Sequence, residues 1–358
     1  MVKAQAKTEK STVSNKDIRQ TFGLKHPIIQ APMAGGATTP ELVSAVCNNG
    51  ALGSIGAGYL SPIAISEHIH ATKQLTSKPF NVNLFVPSPF NADRKQLQHM
   101  QEILAPLYQQ LGQPAPDDLP KRFEQNFHHQ VETLLREKIP AFSFTFGIPD
   151  SEILKEFKKQ NSIILGTATS VEEAALLAES VDMVVLQGAE AGGHRGTFIG
   201  REEDALTPIL SLIKQVQSEN IKCPLIASGG IGRFDDIKHV LKAGAIVAQI
   251  GTLFLSCDES GIASCYKQRL IEAEHDCTAL TRAFSGKLAR GIFNQFTEKL
   301  EGIKPLDYPV QNAMTQPLRK LASSQEHSEY MSLWAGQSLS HCHKGSVQKL
   351  IKTLTQPT

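Results

Sequence analysis

Eight short apolar runs, each ending in glycine, proline or a polar residue, recur along the chain and leave few folds open to it. They begin at residues 28 ("IIQAPM"), 52 ("LGSIG"), 80 ("FNVNLF"), 141 ("AFSFTF"), 162 ("SIILGTA"), 182 ("DMVVLQG"), 224 ("PLIASGG") and 246 ("IVAQIGT"). Stretches with helical spacing separate most of them. After the fifth, Val171, Ala174, Ala175 and Ala178 of "SVEEAALLAES" share one helical face. Continuous apolar strands that alternate with helices describe a parallel sheet covered by helices. Eight repeats favour an α/β fold of the closed (β/α)8 TIM-barrel type, with an open doubly wound sheet as the alternative.

The polar residues fall at one end of these strands. Gln30, Asn83, Gln187, Ser228 and Gln249 stand at or near the C-terminal end of a run, the end that carries the active site in a β/α barrel. The turn after the sixth strand, "LQGAEAGGHRG" (186–196), combines four glycines with His194 and Arg195. Glycine lets backbone N–H groups approach a ligand closely, and imidazole titrates nearest neutrality, so His194 is the candidate proton-transfer or anion-orienting group. "ASGGIG" after strand seven and "QIGT" after strand eight bring Gly229, Gly230, Gly232, Gly251 and Thr252 to the starts of helices. Helix N-termini bind anions, and adjacent phosphate-gripping loops after strands seven and eight recur in barrels. A phosphorylated ligand is expected.

Two long connections interrupt the regular alternation. Between strands three and four, Leu97, Met100, Ile103, Leu104, Leu107 and Leu111 form one helical stripe and Phe123, Phe127, Val131 and Leu134 a second. The other long segment follows strand eight. Residues 17–86 and 139–256 are therefore assigned to the barrel, and 87–138 and 257–345 to a smaller helical cap. Residues 1–16 read as a loose tail and 346–358 as a C-terminal tail or helix. Thirty-six basic against thirty-five acidic residues suggest no nucleic acid or other polyanion as partner. No run approaches the roughly 18 apolar residues of a membrane span. The cysteines at 47, 223, 257, 265, 277 and 342 show no CxxC or zinc spacing, which fits a reducing cytoplasm without a structural metal.

"QAPMAGG", "NVNLF", "QGAEAGGHRG", "ASGGIG", "AQIGT", "SGKLARG" and "LWAGQ" together resemble the nitronate monooxygenases, formerly 2-nitropropane dioxygenases, of the class with a glycine–histidine turn. The resemblance covers about residues 17 to 340. It implies an FMN-binding barrel with a helical substrate domain, acting on a small nitronate with O2 as a monomer or homodimer. By matching motifs it implies FMN contacts at Met33, Asn83, Gln187, Gly192, Gly230, Gln249, Ile250, Gly251 and Thr252, and an active-site role for His194. Lys287, in "SGKLARG", is a weaker candidate for attracting the substrate anion. An enoyl-ACP reductase that draws hydride from NAD(P)H shares the barrel and a similar turn. A non-catalytic flavin- or phosphate-binding module is the reading from a different class.

Overall fold

All eight runs become strands of one parallel sheet in the computed structural model, which describes residues 18–273 and 277–357. The strands are β1 (Ile28–Gln30), β2 (Ser54–Gly56), β3 (Asn81–Phe85), β4 (Ala141–Thr145), β5 (Ile163–Ala168), β6 (Met183–Gln187), β7 (Leu225–Ser228) and β8 (Val247–Ile250). From β2 to β8 each strand pairs in parallel with the next in sequence, and β8 pairs with β1. The ring closes between β1 and the residues that lead into β2. Leu52 N donates to Ile28 O at 3.0 Å, Gln30 N donates to Leu52 O at 2.9 Å, and Ile29 bridges Leu52. The fold is thus a (β/α)8 barrel.

Ile29, Leu52, Leu165, Met183, Val185, Ile226 and Val247 fill the barrel interior as one apolar cluster, with Ile18 of the helix Ile18–Phe22. A larger cluster lies between the strands and the outer helices. The stretch expected to form a loose N-terminal tail lies outside the described residues. No described helix is long and apolar enough to cross a membrane.

The cap differs from the sequence expectation in two ways, and the 346–358 stretch takes the helical of its two expected forms. Phe127, Val131 and Leu134, on the helix Phe127–Glu137, pack into the barrel cluster. That stripe therefore supplies the helix between β3 and β4, and the excursion into the cap is shorter than 87–138. Helix Val347–Thr355 buries Val347, Ile351 and Leu354 in the same cluster, against the helices Pro40–Asn48 and Phe234–Lys242. It is the eighth barrel helix, reached only after the cap has been built. The cap is also not wholly helical. Thr278–Thr281 and Ala289–Ile292 form an antiparallel pair, and Gly193–His194, from the glycine-rich turn, adds to it as a third strand. The rest of the cap packs Leu97, Met100 and Leu104 of helix Arg94–Gln110 against Met314 and Leu318 of helix Val310–Ser324.

Candidate active site

Strand ends and cap together line a cavity of about 380 Å³. Asn83, Gln187, Ser228 and Gln249 line its barrel side, whereas Gln30 does not reach it. Gln30 is fully buried and accepts the Ser54 N–H at 2.9 Å, so it is a core amide that helps hold β1 to β2. Asn83 Oδ1 accepts from Ser143 Oγ at 2.8 Å, which leaves the amide nitrogen for a ligand. Gln187 spends its side chain on the turn, donating to His194 O at 3.0 Å and accepting from Gly196 N at 2.8 Å.

The turn that carries His194 is fastened residue by residue. Glu190 accepts the Ile209 N–H, capping helix Ile209–Ser218. The Arg195 guanidinium is fully buried and donates to the carbonyls of Gly188 (2.6 Å), Gln187 (2.9 Å) and Ala205 (3.1 Å). A Cβ on Gly192 would sit 2.5 Å from the backbone of Ala335 and Gly336, and one on Gly336 would sit 2.6 Å from Glu190 O. The "EAGG" and "LWAGQ" segments therefore touch backbone to backbone, which only glycine allows. Gly192 lines the cavity, but this packing requires a glycine there whatever the ligand.

His194 faces the cavity among aromatic rings, with centroids 5.2 Å from Trp334, 5.9 Å from Tyr308 and 6.1 Å from Phe146. Burial, reinforced by the charges of Lys287 and Arg319, lowers its pKa to about 3. The ring is therefore neutral at neutral pH. Its Nε2 lies 2.8 Å from Ser285 Oγ, which also lies 3.2 Å from Lys287 O. When the Ser285 hydroxyl donates along the shorter contact, Nε2 accepts and the ring proton sits on Nδ1.

At the other end of the cavity, Gly229 (φ 111°) and Gly230 (φ 69°) adopt left-handed backbone. No described group accepts from the N–H of Gly230, Ile231 or Thr252. Thr252 Oγ1 accepts from Gly336 N at 3.0 Å, so its own proton remains to be donated. Met33, Gln249, Ile250 and Gly251 complete this wall. Unpaired amides and a free hydroxyl proton on adjacent loops fit a phosphate.

Lys287, like Gln30 and Gly232, is a nominated residue that the structure does not bring to the cavity wall. Its Nζ pairs with Glu202 Oε1 at 2.7 Å and lies 4.7 Å from the Phe146 ring centroid, behind the turn. The cations that do line the cavity are Arg319 and Lys320, both on helix Val310–Ser324, which sequence reasoning missed. "QPLRK" reads there as an ordinary amphipathic helix segment, and no local signal marks it.

A barrel whose cavity lies at the C-terminal strand ends, beneath a cap, has the layout of a (β/α)8 enzyme. The chain matches the family model described as nitronate monooxygenase over residues 16–357. It is 41% identical over 345 residues to a probable nitronate monooxygenase of Bacillus subtilis (strain 168), covering 95% of this chain and 98% of that one. Among solved structures, nitroalkane oxidase from Streptomyces ansochromogenes superposes with a TM-score of 0.86 at 36% identity, covering 94% of this chain and 96% of the other. FabK from Thermotoga maritima superposes with a TM-score of 0.73 at 26% identity, covering 94% of each chain. The chain belongs to the nitronate monooxygenase family of oxidoreductases, and the match runs through the last barrel helix, beyond the residue 340 at which the motif resemblance ends.

Proposed function

We propose that the protein is an FMN-dependent nitronate monooxygenase that oxidises alkyl nitronates of the propionate 3-nitronate type with O2, giving a carbonyl compound and nitrite. Gly230, Ile231, Gly251 and Thr252 would hold the phosphate, and Met33, Asn83, Gln187, Gln249 and Ile250 would flank the rest of the cofactor. A single anion cradle suits a mononucleotide rather than a dinucleotide. When bound, FMN supplies one-electron chemistry and oxygen reactivity that no side chain has.

The observation that carries the choice of substrate is the neutral state of His194. A base whose conjugate acid has a pKa of about 3 is poorly matched to removing a proton from a neutral nitroalkane near pH 7. A substrate that arrives as its anion needs no such step. With Ser285 donating to Nε2, His194 would donate its Nδ1–H to a nitronate oxygen, which can only accept, and so orient the anion. The aromatic rings around it exclude water from the same end.

Nitrite release and oxygen uptake with propionate 3-nitronate or a small alkyl nitronate, without added NADH, test the reading. Rapid NADH oxidation driven by an enoyl thioester, with no nitrite from nitronates, would make the protein an enoyl reductase instead. Bound flavin with neither activity would make it a binding module.

A further inference from the structure

We propose that Ser143 and Asn81 are positioning residues that hold the Asn83 side-chain amide with its NH2 group turned into the cavity, as a fixed hydrogen-bond donor to the ring of the flavin. This rests on the FMN reading above and adds the device that sets the polarity of one flavin contact.

Asn81 and Asn83 occupy alternate positions of β3, while Val82 and Leu84 pack outward into the cluster between the strands and the outer helices. Both asparagines therefore point into the barrel, where they are almost wholly buried. A buried amide is costly unless its hydrogen bonds are made. Asn81 Nδ2 donates to Ser143 Oγ at 2.8 Å and to Ser54 Oγ at 3.3 Å. Ser143 Oγ donates in turn to Asn83 Oδ1 at 2.8 Å, and Thr145 Oγ1 lies 3.5 Å from the same oxygen. Asn83 lines the cavity, whereas Ser143 and Asn81 do not. They reach a ligand only through Asn83.

Such a chain can run in only two directions, because a hydroxyl has one proton and an amide donates through nitrogen alone. In the reverse direction Asn83 Nδ2 would donate to Ser143, Ser143 would donate to Asn81, and the Asn83 carbonyl would face the cavity. Both Asn81 N–H protons would then point where Oδ1 now lies, and no described group meets that atom. The direction found leaves only the Asn81 carbonyl oxygen unpaired, and a buried carbonyl without a partner is tolerated more readily than a buried N–H. The barrel thus favours the direction that offers NH2 to the cavity. β3 stands opposite β7 in the eight-stranded ring, and the anion cradle is built on the loops after β7 and β8. A mononucleotide held there by its phosphate meets the β3 side with its other end, the flavin ring. The acceptor atoms of that ring become more electron-rich on reduction, so a fixed donor beside them favours the reduced form.

The test measures FMN on the wild-type protein, Ser143→Ala, Ser143→Thr and Asn83→Leu, reading its dissociation constant in the oxidised and reduced states and its midpoint potential. In Ser143→Ala the Asn83 amide is no longer held. Reduced FMN is expected to lose about 3- to 10-fold more affinity than oxidised FMN, the range of one neutral hydrogen bond. A tenfold difference lowers the two-electron potential by ~30 mV. Asn83→Leu, which removes the donor outright, lowers the potential at least as far. Ser143→Thr, which keeps the hydroxyl, restores the wild-type value. A merely structural role for Ser143 weakens both oxidation states alike and leaves the potential where it was. That outcome, or a Ser143→Ala protein indistinguishable from wild type, overturns the proposal while leaving the FMN reading intact. A wild-type protein that binds no FMN in either state overturns both.

Discussion

At the smallest scale the proposed chemistry rests on His194 and its partner Ser285. Replacing His194 by Asn keeps a polar group but removes the ring nitrogen that meets Ser285 and the one proposed to meet the nitronate, so flavin should stay bound while turnover falls. A positioned acid–base group contributes on the order of 100- to 10,000-fold. The loss with a nitronate should sit at the low end of that range because no proton is removed, and the neutral nitroalkane should be turned over poorly by both proteins; near-wild-type rates of His194→Asn on the nitronate would reduce His194 to a structural member of the turn. Because the imidazole stays neutral down to about pH 3, nitronate turnover in the wild-type protein should be flat between about pH 5 and 8 as far as His194 is concerned. Stability carries the complementary sign. The folded pKa lies below the unfolded ~6.5, so only the unfolded chain takes up this proton as pH falls through that window. Stability is then lost on acidification, by at most about 2 kcal/mol at pH 5 from this group. His194→Asn removes that slope, and urea melts at pH 5 and 7.5 on both proteins measure it; identical slopes would refute the burial argument. His194 was legible in the sequence because glycines surround it. Arg319 and Lys287 were not distinguishable there, since what separates them is Glu202 beside one and no carboxylate beside the other.

Elements explain why two distant motifs occur together. "EAGG" and "LWAGQ" are joined by the close approach of Gly192 and Gly336 and by Gln337 N donating to Glu190 O at 3.0 Å. The same contact places Trp334 against His194 and engages the Thr252 hydroxyl. Gly336→Ala should therefore push the turn away from the cap, costing about 1–3 kcal/mol as overpacking and weakening flavin retention together with turnover. Denaturation midpoints and flavin release on dilution read the two effects; wild-type values for both would mean that the contact yields freely. Thr252→Val should lower flavin retention and Thr252→Ser preserve it, a cleaner probe of the cradle than a branched residue at Gly230, whose positive φ strains any side chain. The barrel strands were legible because a strand buried on both faces must be apolar throughout. The two-residue strand Gly193–His194 was not, because its partner lies some ninety-five residues onward and no pattern of period two fits in two residues. Helix Val171–Ala178 shows a milder miss. Ala174 is buried as expected, but Leu177 joins it and Ala175 faces solvent, because Glu173 turns inward to accept the N–H groups of Thr169 and Ile199.

At the scale of the whole molecule, the barrel is completed out of order. Seven of its outer helices follow their strands before the chain leaves to finish the cap, and the eighth, Val347–Thr355, returns at the C-terminal end to cover the gap between the helices Pro40–Asn48 and Phe234–Lys242. From the sequence this stretch could be read equally as tail or helix, since nothing local ties "VQKLIKTLT" to strands that end about a hundred residues earlier. Its anchoring is specific: Glu259, just beyond β8, accepts the Val347 N–H at 3.0 Å, and Ser346 caps the helix through the Lys349 N–H. Val347, Ile351 and Leu354 are almost wholly buried, and three such side chains contribute roughly 5–9 kcal/mol at about 1.5–3 each, comparable with the 5–15 kcal/mol net stability of a typical domain. Removing residues 346–358 should therefore abolish cooperative folding of the barrel and, with it, flavin binding, although no residue of the segment lines the cavity. Ile351→Ala should do the same in part, lowering stability by about 2–5 kcal/mol while leaving the kinetic constants of the folded fraction unchanged. Calorimetry and flavin titration on both variants decide the matter, and a truncated protein that melts cooperatively at the wild-type temperature would show that the barrel closes without its eighth helix.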